Sequence, residues 1–513
     1  MALKRAVADR SPIQNPCIGQ EEEKTITVAT QKRAYALDAL RGFAVLTMIL
    51  SGTIAYRILP TWMYHAQEPP PTHNYNPNLP GLTWVDLVFP LFLFSMGAAI
   101  PLALSRRLAK KDNYIEVILY ILKRGFFLGT FAIVLQHLRP TVISEAYTTQ
   151  KWWIALWGFL VLFFMFVRLP DSLPKWQRTT ITVIAWVSVI VLLSQLQYPD
   201  GSGFSLDRSD IILIVLTNIA VFGSIIWLFT KSNLWVRLGF LALLFAVRLS
   251  ATVGNSWIGQ LWSTSPIPWI FQFAYLSYLF VVIPGTIAGD LILNWLQTNP
   301  NADAVDPSGA TEDKPLSKKT NRQWSKNRFY CIILLLLFNC LALLVGLQAR
   351  WIWQTTLLSA ALCWLCWFFF SKPTNETEYL IKKLYKWGVY WLFLGLFFEP
   401  FQSGIKKDPA TFSYYFVTVG MAFFILIIFT IIIDIFKYQK NLQILIDNGQ
   451  NPMIAYVGFA NLVWPILVLT KIDGWVIENT KTPWLGFLKG ILYTFIVAYI
   501  VRIFTKNKIF WRT

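Results

Sequence analysis

Histidine is scarce in this sequence: three residues in 513, His65, His73 and His137. No group of His, Cys, Asp and Glu falls at metal-ligand spacing, so no metal is expected. Charged residues make up 14% of the chain, against about 25% in soluble globular domains, which excludes an ordinary soluble fold. Cysteine is limited to Cys17, Cys331, Cys340, Cys363 and Cys366. The last two form a CxxC inside the apolar LLSAALCWLCWFFF, with no second pair and no His nearby, so they read as helix-packing residues. Also missing are a phosphate-cradling Gly loop, a Ser-His-Asp motif and, in the first 36 residues, an apolar run of signal-peptide length. No cleaved targeting segment is therefore expected.

Long apolar stretches dominate what is present. The chain is 55% hydrophobic with a mean hydropathy of +0.49. Segments able to span a bilayer occur at about 37–57, 84–104, 115–136, 152–168, 180–197, 210–229, 235–251, 270–296, 329–347, 352–370, 384–400, 413–436, 449–470 and 485–504. The expected fold is all-α, a polytopic transmembrane helix bundle of about fourteen helices, with eleven as the lower bound. The 24 Trp residues, many near segment ends, suit interfacial belts rather than sugar stacking.

The net charge of +18 does not point to nucleic acid, because Lys and Arg gather between apolar segments as orientation signals do. Lys4, Arg5, Arg10, Lys24, Lys32 and Arg33 precede the first segment, whereas 58–83 has neither Lys nor Arg. Alternation onward from Arg106, Arg107, Lys110 and Lys111 to Arg502, Lys506, Lys508 and Arg512 puts both termini in the cytoplasm and the 58–83 loop outside. Lys406 and Lys407 break the pattern, since the count places them outside. Four regions are expected: a disordered cytoplasmic tail at 1–36, a membrane bundle at 37–298, a Pro-, Asp-, Ser- and Lys-rich cytoplasmic linker at 299–328, and a second set of helices at 329–513. No repeat relates the two sets, which speaks against an inverted-repeat transporter.

The most informative stretch runs from Asp38 to Leu104. It contains LDALRGFAVLTMIL at 37–50 and GLTWVDLVFPLFLFSMGAAI at 81–100, and KRGFFLG follows at 123–129. These motifs, with softer matches in DPATFSYYFVTVGMAFFILIIFTIIID at 408–434 and GQNPMIAY at 449–456, resemble the integral-membrane acyltransferases. Within them the likeness is to the heparan-α-glucosaminide N-acetyltransferase family and its uncharacterised bacterial relatives. The resemblance covers the first third of the chain and the last quarter.

It implies transfer of an acetyl or small acyl group from a cytosolic acyl-CoA, the cosubstrate, to an amino or hydroxyl group of a glycan on the extracytoplasmic side. Acyl transfer needs a base or a nucleophilic carrier, and imidazole serves either role. His73, with Asp86 orienting its ring, is the expected catalytic pair. The family's working histidine stands about five residues before the Gly of GLT. Here Asn76 holds that offset and His73 lies eight before Gly81, so the match requires a short loop insertion.

Arg41, Lys123 and Arg124 are the expected partners of the CoA phosphates, with snorkelling to lipid headgroups as the alternative for Lys123 and Arg124. Asp38, Glu399 and Asn451 are candidates for the acceptor side. Asp38 can instead pair with Arg41 three residues on, Glu399 can cap its helix, and Asn451 can cap the helix it precedes. Arg248 is a candidate counter-ion for the deep carboxylates Asp290, Glu399 and Asp434. Alternatives to the enzyme are a transporter or flippase for a glycan or lipid-linked precursor, and an inactive envelope scaffold. An integral protein of a bacterial inner membrane suits the lack of paired extracytoplasmic cysteines, and a homo-oligomer is compatible with it.

Overall fold

The computed structural model describes residues 33–54, 58–110, 113–146, 148–169, 172–298 and 323–511. Most of the expected tail and linker, and Cys17, lie outside these residues. Among the described residues, every apolar segment identified above forms mainly helix. In chain order the helices are α1 (Tyr35–Thr53), α2 (Trp84–Leu108), α3 (Tyr114–His137), α4 (Thr149–Phe166), α5 (Lys175–Gln195), α6 (Ile211–Thr230) and α7 (Leu234–Ser250). They continue with α8 (Phe273–Gln297), α9 (Lys326–Gln348), α10 (Ile352–Phe369), α11 (Glu376–Phe398) and α12 (Phe412–Ile435). The last are α13 (Gln443–Gln450), α14 (Pro452–Leu469) and α15 (Pro483–Lys506).

Twelve are long and apolar enough to cross a membrane; the protein is an all-α bundle of membrane-spanning character. Two expected spans are not among the twelve. Helix α7 has only 17 residues, and α11 opens on Glu376, Glu378, Lys382, Lys383 and Lys386. The expected span 449–470 is broken at Asn451, because Pro452 has no N–H to continue the ladder from α13.

Local sequence explains where the helices begin. Thr83 and Asp86 form a capping box at the head of α2, and Asn113 and Glu116 do so on α3. Asp210, Asn233, Ser325, Asn375 and Thr411 each cap the helix that follows. In a bilayer, helices associate through close packing rather than through a hydrophobic drive, so small residues decide where they touch. A Cβ on Gly97 would meet Val282 O at 2.4 Å, and one on Gly289 would meet Ala98 O at 2.3 Å. These positions let α2 and α8 run backbone to backbone. Gly42 and Gly449 do the same for α1 and α13, with a Cβ on either only 1.8 Å from a carbonyl of the partner.

Helices α2 and α12 start at one end of the bundle, beneath the 58–83 loop and the 399–411 loop. The two loops are tied together: Gly81 N donates to Ile405 O at 2.8 Å. Buried Gln67 accepts from Asp408 N at 2.9 Å and donates to Asp408 O. Glu399 and Arg350 pair at 2.5 Å and pin the base of the second loop. Buried Glu399 and half-buried Asp290 thus find partners that sequence order did not suggest. Glu399 goes to Arg350, and Asp290 goes to the buried Arg237 at 2.5 Å. Arg248 lies instead over Trp262, 5.4 Å from its ring centroid.

Candidate functional site

The capping box that starts α2 also builds the site. Asp86 is 2% exposed. Its Oδ2 accepts from Thr83 N and from Ala66 N, both at 3.1 Å, with Thr83 Oγ1 also at 3.1 Å. Tyr414 OH donates to Asp86 O at 2.8 Å, fixing the first turn of α2 against α12. Thr83 N is a donor at a helix start, where it has no helical acceptor, and Ala66 N comes from the loop above. One carboxylate oxygen, Oδ1, is left over, and it takes His65 Nδ1 at 2.7 Å.

His65, not His73, is therefore the imidazole that Asp86 holds. The expected His73–Asp86 pair is not formed. His73 sits in left-handed backbone with φ 53°, its Nδ1 is 3.2 Å from Glu68 O, and its ring meets Tyr64 edge-on at 4.5 Å. A turn closed by His73 N and Pro69 O sets its conformation. His137 is buried, with Nδ1 on Ile133 O at 2.8 Å and Nε2 accepting from Ser205 N at 3.3 Å. Both its nitrogens serve packing.

With Nδ1 donating to Asp86, His65 keeps its lone pair on Nε2. The His65 side chain is 32% exposed. Lys407 brings its ammonium to 3.1 Å from Nδ1 and 3.3 Å from Nε2, and only Nε2 can accept from it. Burial holds the Lys407 ammonium below its ordinary pKa, against the opposing pull of Asp86, Glu68 and Asp408. The result is a carboxylate, an imidazole and an amine clustered at a loop-covered helix start, an arrangement that can move a proton and stabilise developing negative charge. Sequence reading missed Lys407 as a site residue and set His65 aside; the signal for Lys407 was its departure from the charge alternation.

One turn along α2 from Asp86, Phe89 enters the wall of an apolar cavity of about 50 Å³ between α1, α2, α3, α6 and α14, lined also by Met48, Phe92, Leu128, Met453 and Tyr456. Tyr456 OH donates to Asp210 Oδ2 at 2.8 Å, and Arg139 pairs with the same oxygen.

The cations expected to hold CoA do not share a pocket. Arg41 donates to Gly449 O and Ser95 O, each at 3.2 Å, and pairs with Asp38 at 3.7 Å. Both residues thus sit on the α1–α2–α13 contact, where the Asp38–Arg41 alternative is realised. Lys123 and Arg124 face outward from α3, over Phe127 and Tyr120 at 5.8 Å in each case. Buried Glu399 is taken by Arg350. Asn451 makes no side-chain cap to α14. Its Nδ2 donates to Ile509 O at 2.7 Å and its Oδ1 accepts from Trp511 N at 3.3 Å, which fastens the C-terminal segment.

Residues 33–292, about half the chain, match a family described as a domain of unknown function (DUF5009). No curated protein matches.

Proposed function

This chain belongs to the family of the domain of unknown function DUF5009, and because that family name carries no activity, we propose one from the site: a transmembrane acyltransferase. It moves an acetyl or small acyl group from an acyl-CoA to an amino or hydroxyl group of a sugar, at the end of the bundle that carries the 58–83 loop. The observation that supports this most is the buried Asp86 carboxylate on His65 Nδ1 at 2.7 Å. It lies inside GLTWVD, the motif on which the likeness to membrane acyltransferases rests.

In this reading His65 Nε2 removes the proton from the acceptor nitrogen or oxygen as that atom attacks the thioester carbonyl. The C–S bond breaks as the new C–N or C–O bond forms, and the proton passes from Nε2 to the departing thiolate. Asp86 keeps Nδ1–H in place and stabilises the imidazolium. Lys407, beside Nε2, is positioned to donate to the carbonyl oxygen as it gains charge. The acyl-CoA supplies an activated acyl group. Arg41, Lys123 and Arg124 do not gather into a cradle for it, so no step is assigned to them.

The test is transfer of radiolabelled acetyl from acetyl-CoA to glucosamine by the purified protein in nanodiscs. His65→Asn keeps an amide donor for Asp86 and removes the base; transfer should fall by about 10²–10⁴-fold. Unaltered transfer in His65→Asn, with loss in His73→Asn, would return the role to His73. No transfer by the wild type to any amino sugar or alkyl glycoside would overturn the acyltransferase.

A further inference from the structure

His137 closes α3, and the chemistry proposed above makes no use of it. The residue is fully buried, and the hydrogen bonds around its ring fix its tautomer. Nδ1 lies 2.8 Å from Ile133 O, which can only accept, so Nδ1 carries the proton. Nε2 is then the bare nitrogen, and it accepts from Ser205 N at 3.3 Å. Both bonds together need a neutral ring.

Ser205 stands in the middle of the connection between α5 and α6, which is held mostly by itself. Gly201 N donates to Tyr198 O, Tyr198 N to Ser202 O and Arg208 N to Ser205 O. The Arg208 guanidinium donates to Gly203 O, Ser202 Oγ and Asp200 Oδ2. Ties to the rest of the molecule stand at the two ends: Tyr198 OH donates to His137 O at 3.3 Å, and Asp210 N donates to Ala132 O at 3.2 Å. Between those ends, the described residues show one hydrogen bond from the loop to another element, Ser205 N to His137. Phe204 stacks on the same imidazole, with 5.0 Å between centroids. The middle of the loop is thus fastened at a single titratable ring.

We propose that His137 is an acid-sensitive latch: protonation of its imidazole releases the 199–209 segment from α3. With Nδ1–H kept on Ile133 O, an added proton has only Nε2 to go to. There it turns the acceptor of Ser205 N–H into a second donor, and it creates a buried cation. No neighbouring charge offsets this. From the loop, Tyr198 meets the ring edge-on at 5.4 Å, and Arg208, stacked on Tyr198 at 3.8 Å, repels an imidazolium. On the α3 side, Arg139 is already paired with Asp210. The neighbouring groups from α4 and α14 are Gly158, against Leu138, and Asn461, on Leu138 O, and both are neutral. Once the loop lifts, the ring meets water and takes its proton near pH 6.5, as an ordinary imidazole does. One proton is bound on opening, so the open population grows by up to about tenfold per pH unit below that point.

The latch stands at the same end of the bundle as His65. Arg107, near the end of α2, stacks on Tyr120, near the start of α3, while Phe89 and Phe131 share one cavity, so α3 runs back toward the 58–83 loop. The distribution of Lys and Arg is the ground for expecting that end outside, where pH follows the surroundings. The inference is independent of the acyltransferase reading. Asp210 is held by Arg139, Tyr456 and Ala132, so the start of α6 should stay in place when the loop opens.

Hydrogen exchange of the full chain in nanodiscs, read by mass spectrometry at pH 7.5, 6.5 and 5.5 and corrected for the intrinsic rate at each pH, tests the latch. Protection within 199–209 should fall about tenfold between pH 7.5 and 5.5, while α3 and α6 keep theirs. Asp200 stays ionised in this window, because Ser202 and then Arg208 hold its carboxyl below the ordinary range. Asp207→Asn should keep the response. His137→Gln carries an amide oxygen toward the place of Nε2 and takes no proton, so its loop should stay protected at every pH. His137→Phe offers a ring to Phe204 but no acceptor, and its loop should exchange freely at every pH. Equal protection at pH 7.5 and 5.5 in the wild type would overturn the latch. So would a pH response retained in His137→Gln or, should that variant not fold, a protected loop in His137→Phe.

Discussion

Two kinds of buried charge occur in this protein, and their difference is instructive. At the α6–α7–α8 contact, Arg237 spends its guanidinium entirely inside the protein. It reaches Asp290 Oδ2 at 2.5 Å, Thr286 Oγ1 at 3.1 Å, and Thr230 through both Oγ1 and the carbonyl. Trp227 Nε1 donates to the other Asp290 oxygen at 2.9 Å. At the head of α2, Asp86 is satisfied as fully, but the imidazole it holds remains one-third exposed, beside a lysine on another loop. A closed network fixes helices in place. An open one leaves a group that can exchange a proton with an incoming molecule.

The contrast can be tested, starting with the largest effect. His65→Asn should reduce acetyl transfer by about 10²–10⁴-fold yet lower the unfolding free energy by less than about 1 kcal/mol, because the donor to Asp86 is replaced. Arg237→Met should behave in the opposite way. It leaves half-buried Asp290 without its cation, removes the bonds to Thr230 and Thr286, and should cost about 1–3 kcal/mol of stability, most of which returns in Arg237→Met/Asp290→Leu. Thermal unfolding in detergent reads both. If the two variants gave the same balance of activity and stability loss, the distinction between closed and open networks would fail.

Gly449→Ala tests the helix contact that absorbs Asp38 and Arg41. Its Cβ would lie 1.8 Å from Asp38 O, so α1 and α13 must separate, at a cost of about 1–3 kcal/mol. A smaller effect is expected from pH. Lys407 has its pKa depressed below the ordinary value of 10.5 by burial. Between that depressed value and 10.5 the unfolded chain holds a proton that the folded chain does not. Stability therefore rises with pH across this window and is lower and flat beneath it. Lys407→Met should remove the slope, as read by unfolding midpoints at stepped pH.

The helices were legible from hydropathy alone, since a run of about 20 apolar residues in a chain of this composition has few alternatives to a spanning helix. Asp86 was legible too, as a carboxylate at the head of a motif helix. Its partner was not. His65 and His73 share one loop, and which of them meets Asp86 depends on how that loop turns back at Ala66 and His73. Lys407 stands 342 residues from His65, and only the Gln67–Asp408 clasp and the Glu399–Arg350 pair bring its loop there. Arg41 turns into the α1–α2–α13 contact while Lys123 and Arg124 face outward from α3: hydropathy places such residues along a helix but does not fix the direction in which they point.

The sequence by itself determined the number of apolar helices to within a few and the motif that starts α2, because length, hydropathy and capping act over a few residues to a few turns. Only the tertiary structure decided which histidine, which lysine and which arginine stand beside each buried carboxylate. Those choices depend on glycine-mediated helix crossings and loop-to-loop hydrogen bonds between residues hundreds of positions apart, and no local pattern encodes them.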